Sequence, residues 1–123
     1  MLFTMVLLAI LQGQRPDYVL DLGWTYHGAS ESYDAMFFTR PGPRENMLWS
    51  RYERKTAVEG HRSWRELSEY NCATGQYRKV QDTAFPQPNM VGMPVSIDVS
   101  RDWLYPGPNT FAEAAYELVC AKS

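Results

Sequence analysis

The chain has little surplus charge of either sign, since twelve basic residues against fourteen acidic leave a formal net charge of −2. Neutralising a phosphate backbone needs a basic excess, so the balance argues against nucleic acid as a partner. Histidine and cysteine are equally scarce, at two each. A strong metal site needs about three or four ligands, and His27 and His61, even with Glu59 and Glu66 near them in sequence, do not reproduce a ligand spacing. They read as polar surface or turn residues. Ser63 lacks the strained Gly-x-Ser-x-Gly turn that exposes a nucleophile, and Gly23 to Gly28 is no phosphate loop. The chain therefore reads as non-enzymatic, with no cofactor and no metal. Long hydrophobic runs are missing too. The run from Met1 to Leu11, interrupted only by Thr4, is too short to span a bilayer, and no later stretch could cross one. Repeats, low-complexity tracts and linkers are likewise lacking.

What is present is aromatic and apolar. Hydrophobic residues make up 45% and aromatic residues 14% of 123 positions, too much for a disordered chain and enough for one domain. Eight prolines and eight glycines favour short elements joined by turns over long helices. The apolar start matches the core of a secretory signal peptide, although it lacks a basic beginning and a small-x-small cleavage site. We read residues 1–13 as an atypical leader removed after Gly13 and residues 14–123 as a single domain, exported and either periplasmic or secreted. Neither cysteine stands where a lipid anchor would need one. In that setting Cys72 and Cys120 read first as a disulfide, the rival being a reactive thiol near His27 or His61. Closing a loop of about 49 residues should add roughly 4 kcal/mol in the chain-entropy description.

Six β-strands are expected, over Gly23 to Ala29, Tyr33 to Arg40, Asn46 to Lys55, Arg62 to Cys72, Gln76 to Ala84 and Pro94 to Ser100. Arg40-Pro41-Gly42-Pro43 suits a type II turn, and Gly75 and Gly60 suit left-handed hairpin positions. The proline-rich stretch from Phe85 to Pro94 should leave the sheet. Thr110-Phe111-Ala112-Glu113 forms a capping box, followed by a helix to about Ala121 whose apolar arc is wide enough to require cover. If Cys120 clamps this helix to Cys72, strand alternation brings Trp64, Glu66, Ser68 and Tyr70 to the helix side. A carboxylate there requires a bulge that shifts the register or a wet end to that face.

Ser68-Glu69-Tyr70-Asn71-Cys72 followed by Tyr77-Arg78, then Trp103-x-Tyr105-Pro106-Gly107, and finally Leu118-Val119-Cys120 make the chain resemble the surface-adhesin protein E-like family of small exported bacterial domains. The resemblance spans about Trp24 to Cys120. It implies an α+β fold, in which a curved antiparallel sheet carries a C-terminal helix on its concave side, tied by a disulfide between Cys72 and Cys120. It also implies homodimerisation and, for the named member, attachment to host extracellular-matrix and serum proteins.

The charge total hides a local contrast. Nine basic and five acidic residues between Arg40 and Val80 give +4, against −6 elsewhere. One reading is cross-strand charge pairs on a solvated face. The sharper one is a basic surface for an anionic glycan, lipid head group or acidic protein patch, with aromatic contacts interleaved; its candidates are Arg44, Trp49, Arg51, Lys55, Arg62 and Arg65. Alternation splits these charges between two sheet faces unless loops contribute. The leading expectation is thus an exported envelope protein that binds protein or anionic glycan. The alternative is a small periplasmic inhibitor or ligand-binding module, recognisable by a pocket between helix and sheet.

Overall fold

A computed structural model describes residues 14–30 and 34–121. The expected leader, its expected cleavage point at Gly13, and Tyr33 lie outside them. Six strands form one antiparallel sheet in sequence order: β1 (Thr25–Ser30), β2 (Ala35–Pro41), β3 (Met47–Val58), β4 (His61–Asn71), β5 (Gln76–Phe85) and β6 (Val95–Ser96). Helix α1 (Phe111–Cys120) follows. The α+β class and the helix-on-sheet arrangement are therefore as expected.

Local chemistry explains the joins. Glu59 and Gly60, both with positive φ, make the two-residue turn between Val58 and His61, and Gly75 closes the next hairpin at φ 78°. The β2–β3 turn differs from expectation. Pro41 stays in the strand opposite Leu48, and the turn falls at Arg44–Met47, where the Met47 N–H donates to the Arg44 carbonyl at 3.0 Å. Gly42 serves by close approach instead of by φ, because a Cβ there would lie 2.8 Å from the Met47 backbone carbon. β6 is also shorter than Pro94 to Ser100. A bulge leaves Val80 unpaired in β5, its carbonyl accepts from Arg101 at 3.3 Å, and the chain rejoins the strand only at the Tyr77–Leu104 bridge. As expected, the segment after Phe85 leaves the sheet, with a short 3-10 turn at Pro88–Met90.

Thr110 caps α1 by accepting from the Glu113 N–H at 3.2 Å, while Glu113 reaches back to the Asn109 N–H at 2.9 Å. The helix lays Ala114, Ala115 and Val119 on Phe37, Leu48 and Tyr70, with Tyr52, Tyr77 and Phe111 around them. Cys72 and Cys120 are bonded, with Cα atoms 5.4 Å apart, clamping the last helical turn to the start of the β4–β5 turn.

The opposite face of the sheet has a second core of Val19, Trp24, Met36 and Phe38, closed by residues 18–24 and the loop holding Met90. A buried ion pair anchors both segments. Arg51 and Glu53 are 0% exposed and meet at 2.8 Å. Arg51 also donates to the carbonyls of Leu20 and Asp21 at 2.8 and 3.1 Å and stacks 4.1 Å over the Phe38 ring. Glu53 accepts the Asn89 N–H at 3.0 Å, and Asn89 in turn donates to the Tyr18 carbonyl at 2.9 Å. Burial pushes the Glu53 carboxyl up, while the Asn89 N–H and Arg51 pull it back.

Candidate functional site

The structure scatters the six sequence candidates. Arg44 lies in the β2–β3 turn beside a cavity of about 430 Å³ that it shares with Leu48, Leu118 and Val119. Lys55 is exposed near the other end of β3. Arg62, also at that end, donates to the Arg54 carbonyl at 2.9 Å and points toward the Tyr18 hydroxyl at 3.4 Å. Arg51 does not belong to any surface, because residues 18–24 fold over it and Glu53 neutralises it. Strand alternation puts Arg51 on the correct face but cannot reveal that half of that face is covered. Its one sequence signal is the opposite charge two residues on, which shares its side of the strand.

Trp49 and Arg65 remain, and the fold adds partners that were not singled out. Arg40 lies directly opposite Trp49 across β2 and β3, and its guanidinium sits 4.7 Å over the Trp24 ring. Arg65 lies 5.7 Å from both the Trp49 and Phe85 rings. Arg78 stacks 4.6 Å over Trp103 and pairs with Glu69 at 2.8 Å. Guanidinium groups thus lie over aromatic rings from the edge of the second core, where Trp24 and Phe85 are buried, to the part-exposed Trp49 and Trp103, at distances where the ring quadrupole attracts a cation. Among the described residues no carboxylate lies within ion-pair distance of Arg40 or Arg65. Such a strip offers fixed positive charge beside the part-exposed rings of Trp49 and Trp103, suited to anionic groups on a flat or ring-shaped partner.

The helix face carries a different arrangement beside Phe111. Trp64, Glu66, Ser68 and Tyr70 do share it: the bulge lies in β5, so the alternation of β4 is unbroken. Past the core, a recess of about 310 Å³ opens among Ala35, Tyr52, Trp64, Glu66, Asp82 and Phe111. The Lys79 ammonium sits 3.2 Å from Glu66. Burial, then the neighbouring Glu66, push the Asp82 carboxyl up to about 6, against the pull of Lys79 and the Thr83 N–H. Burial, followed by Glu66, also raises the Tyr52 hydroxyl.

A carboxyl whose folded pKa lies above its ordinary value binds a proton more tightly folded than unfolded. Its penalty is absent below about pH 4 and complete above about pH 6. Asp82→Asn removes that penalty, so its gain in melting temperature over wild type should be larger at pH 7.5 than at pH 4. An equal gain at both pH values would contradict the placement of this carboxyl.

His27 and His61 stand apart. His27 is half-buried on β1 beside Phe37, with Nε2 2.6 Å from the Thr39 hydroxyl, and burial lowers its pKa. His61 opens β4 edge-on to Trp64. Among the described residues no three His, Cys, Asp or Glu side chains form a cation-binding group, and no helix is long and apolar enough to cross a membrane.

An open antiparallel sheet bearing one disulfide-clamped helix defines a small α+β domain. The family model for Surface-adhesin protein E matches residues 33–121, and the chain belongs to that family, as an adhesin-like surface protein. Its fold is similar to that of Haemophilus influenzae protein E, with a TM-score of 0.56 at 14% sequence identity, over 90% of this chain and 93% of that one. No curated protein matches the sequence.

Proposed function

We propose that this protein is a non-enzymatic, exported binding protein that attaches to an anionic partner, foremost a sulfated glycan of an extracellular matrix, through the arginine–tryptophan strip on the far face of its sheet. The observation that carries this reading is the set of three guanidinium groups, the exposed Arg40 and the half-buried Arg65 and Arg78, each held over an indole ring. Membership of an adhesin family supports attachment as the role, and the apolar leader supports export. Homodimerisation would use the outer edge of β1, which pairs only with β2 among the described strands.

The test is binding of the purified chain to immobilised heparan sulfate, with neutral dextran as the control. Wild type should bind the sulfated polymer alone. Trp49→Ala with Arg65→Ala should weaken binding by about tenfold or more, since one charge-assisted contact and one ring face are lost together. Equal binding to both polymers would exclude the reading. The recess beside Phe111 favours a second one, a ligand-binding module, because an apolar pocket between helix and sheet is what such a module requires.

A further inference from the structure

We propose that the recess beside Phe111 is a binding site for a primary amine carried on an apolar stem. The inference rests on the pocket alone and stands whether or not the far-face strip binds glycans. A volume of about 310 Å³ falls at the small end of ligand pockets, so it admits a side chain or a small molecule and not a folded partner. Its walls are Ala35, Tyr52, Trp64 and Phe111, and its charged groups are Glu66, Asp82 and Arg54.

The two carboxylates stand directly opposite each other on β4 and β5. Like charges in that position destabilise a sheet. Lys79 attracts both but comes within ion-pair distance of only one, at 3.2 Å from Glu66. Asp82 is 8% exposed, and its Oδ1 has no hydrogen-bond partner among the described residues. A buried acceptor left unmatched weakens the empty fold, and local costs of this kind gather at binding sites. A primary ammonium supplies what is missing. It donates up to about three hydrogen bonds, neutralises the second carboxylate and is attracted by the ring faces of Trp64 and Tyr52. A neutral alcohol of the same length brings no charge, and a carboxylic acid brings the wrong one.

Arg54 narrows the choice further. Its Nε is a buried donor without a partner, on the same recess. A ligand with an acceptor some distance from its ammonium would satisfy both orphan groups. A lysine side chain within a peptide has that form, and a free alkylamine shares only the ammonium and stem.

The test is a titration of the full chain at pH 7.5, followed by two-dimensional amide spectra that include the Trp64 indole. Probes are hexylamine, Nα-acetyl-lysine N-methylamide, 1-hexanol and hexanoate. Both amines should give saturable shifts of the Trp64 indole and the first turn of α1, and the alcohol and the acid should not. Tighter binding of the lysine derivative would assign the site to a partner peptide, and tighter binding of hexylamine to a free amine. Asp82→Asn should weaken amine binding roughly 10- to 100-fold, the loss expected for one charged hydrogen bond, while its melting temperature at this pH rises. Trp64→Leu provides an independent variant and should weaken binding by about fivefold through loss of the cation–ring contact. The proposal is overturned if 1-hexanol binds as tightly as hexylamine, if Asp82→Asn leaves affinity unchanged, or if neither amine gives a saturable shift.

Discussion

Replacing Glu53 by alanine is expected to cost about 3–5 kcal/mol of folding stability, the range for a buried ion pair that loses one partner. Arg51 would keep its charge at 0% exposure with no counter-ion. The Asn89 N–H would lose its acceptor, and with it one of the bonds that hold the loop at Pro88–Met90 against the sheet, beside those from Ser63. Small domains have about 5–15 kcal/mol in total, so the variant should be largely unfolded at modest urea concentration. Exchanging both partners, Arg51→Met with Glu53→Leu, should cost far less, because a well-packed apolar pair avoids the desolvation of two charges. Urea denaturation of the three proteins checks this. Equal losses in the single and double variants would mean that the pair is not buried as described.

The second large effect is reduction of the Cys72–Cys120 bond. With a sequence separation of 48, the crosslink should stabilise the fold by roughly 4 kcal/mol through restriction of the unfolded chain. The loss should appear locally first. Among the described residues helix α1 has no strand on its outer side, and Leu118 is exposed, so its last turn depends on the clamp, on the Tyr116 hydroxyl donating to the Cys72 carbonyl and on Val119 packing against the sheet. Comparison of oxidised protein with a Cys72→Ser, Cys120→Ser variant should lower the denaturation midpoint and raise hydrogen exchange most strongly at Tyr116–Cys120. A change of less than about 1 kcal/mol would make the helix self-sufficient on its apolar face.

Much of this architecture was legible in the residues because its determinants are local. Gly60 and Gly75 mark turns by the backbone conformations they allow, Thr110 and Glu113 mark a helix start, and alternation along β4 placed Trp64, Glu66, Ser68 and Tyr70 together. Non-local events were hidden. Nothing near Arg51 announces that Leu20 and Asp21, about thirty residues earlier, will cap its guanidinium, nor that Asn89 will hold Glu53. Arg51 thus looked like part of a surface. The same blindness hid the proposed strip. Arg40, Arg65 and Arg78 are far apart in sequence, and only the register of four strands and the excursion to Trp103 bring them beside their rings. β6 was overestimated because Pro94 to Ser100 has strand-like composition, while the Val80 bulge in its partner breaks the ladder it would have followed. The recess was half visible: Glu66 on an otherwise apolar face was a sign of it, and the facing Asp82 required the register of β5.

The arginine–tryptophan strip is the centre of the functional reading, and its mode of binding has a direct physical signature. Guanidinium groups gripping a sulfated polymer are screened by salt and displace condensed counter-ions, whereas an apolar contact strengthens or holds as salt rises. Affinity for heparan sulfate measured from 50 to about 500 mM sodium chloride therefore tests the account most directly. Wild type should lose affinity steeply along the series, and the Trp49→Ala, Arg65→Ala protein should bind more weakly throughout and with a shallower slope. Salt-independent binding, or a double variant that follows the wild-type line, would contradict it.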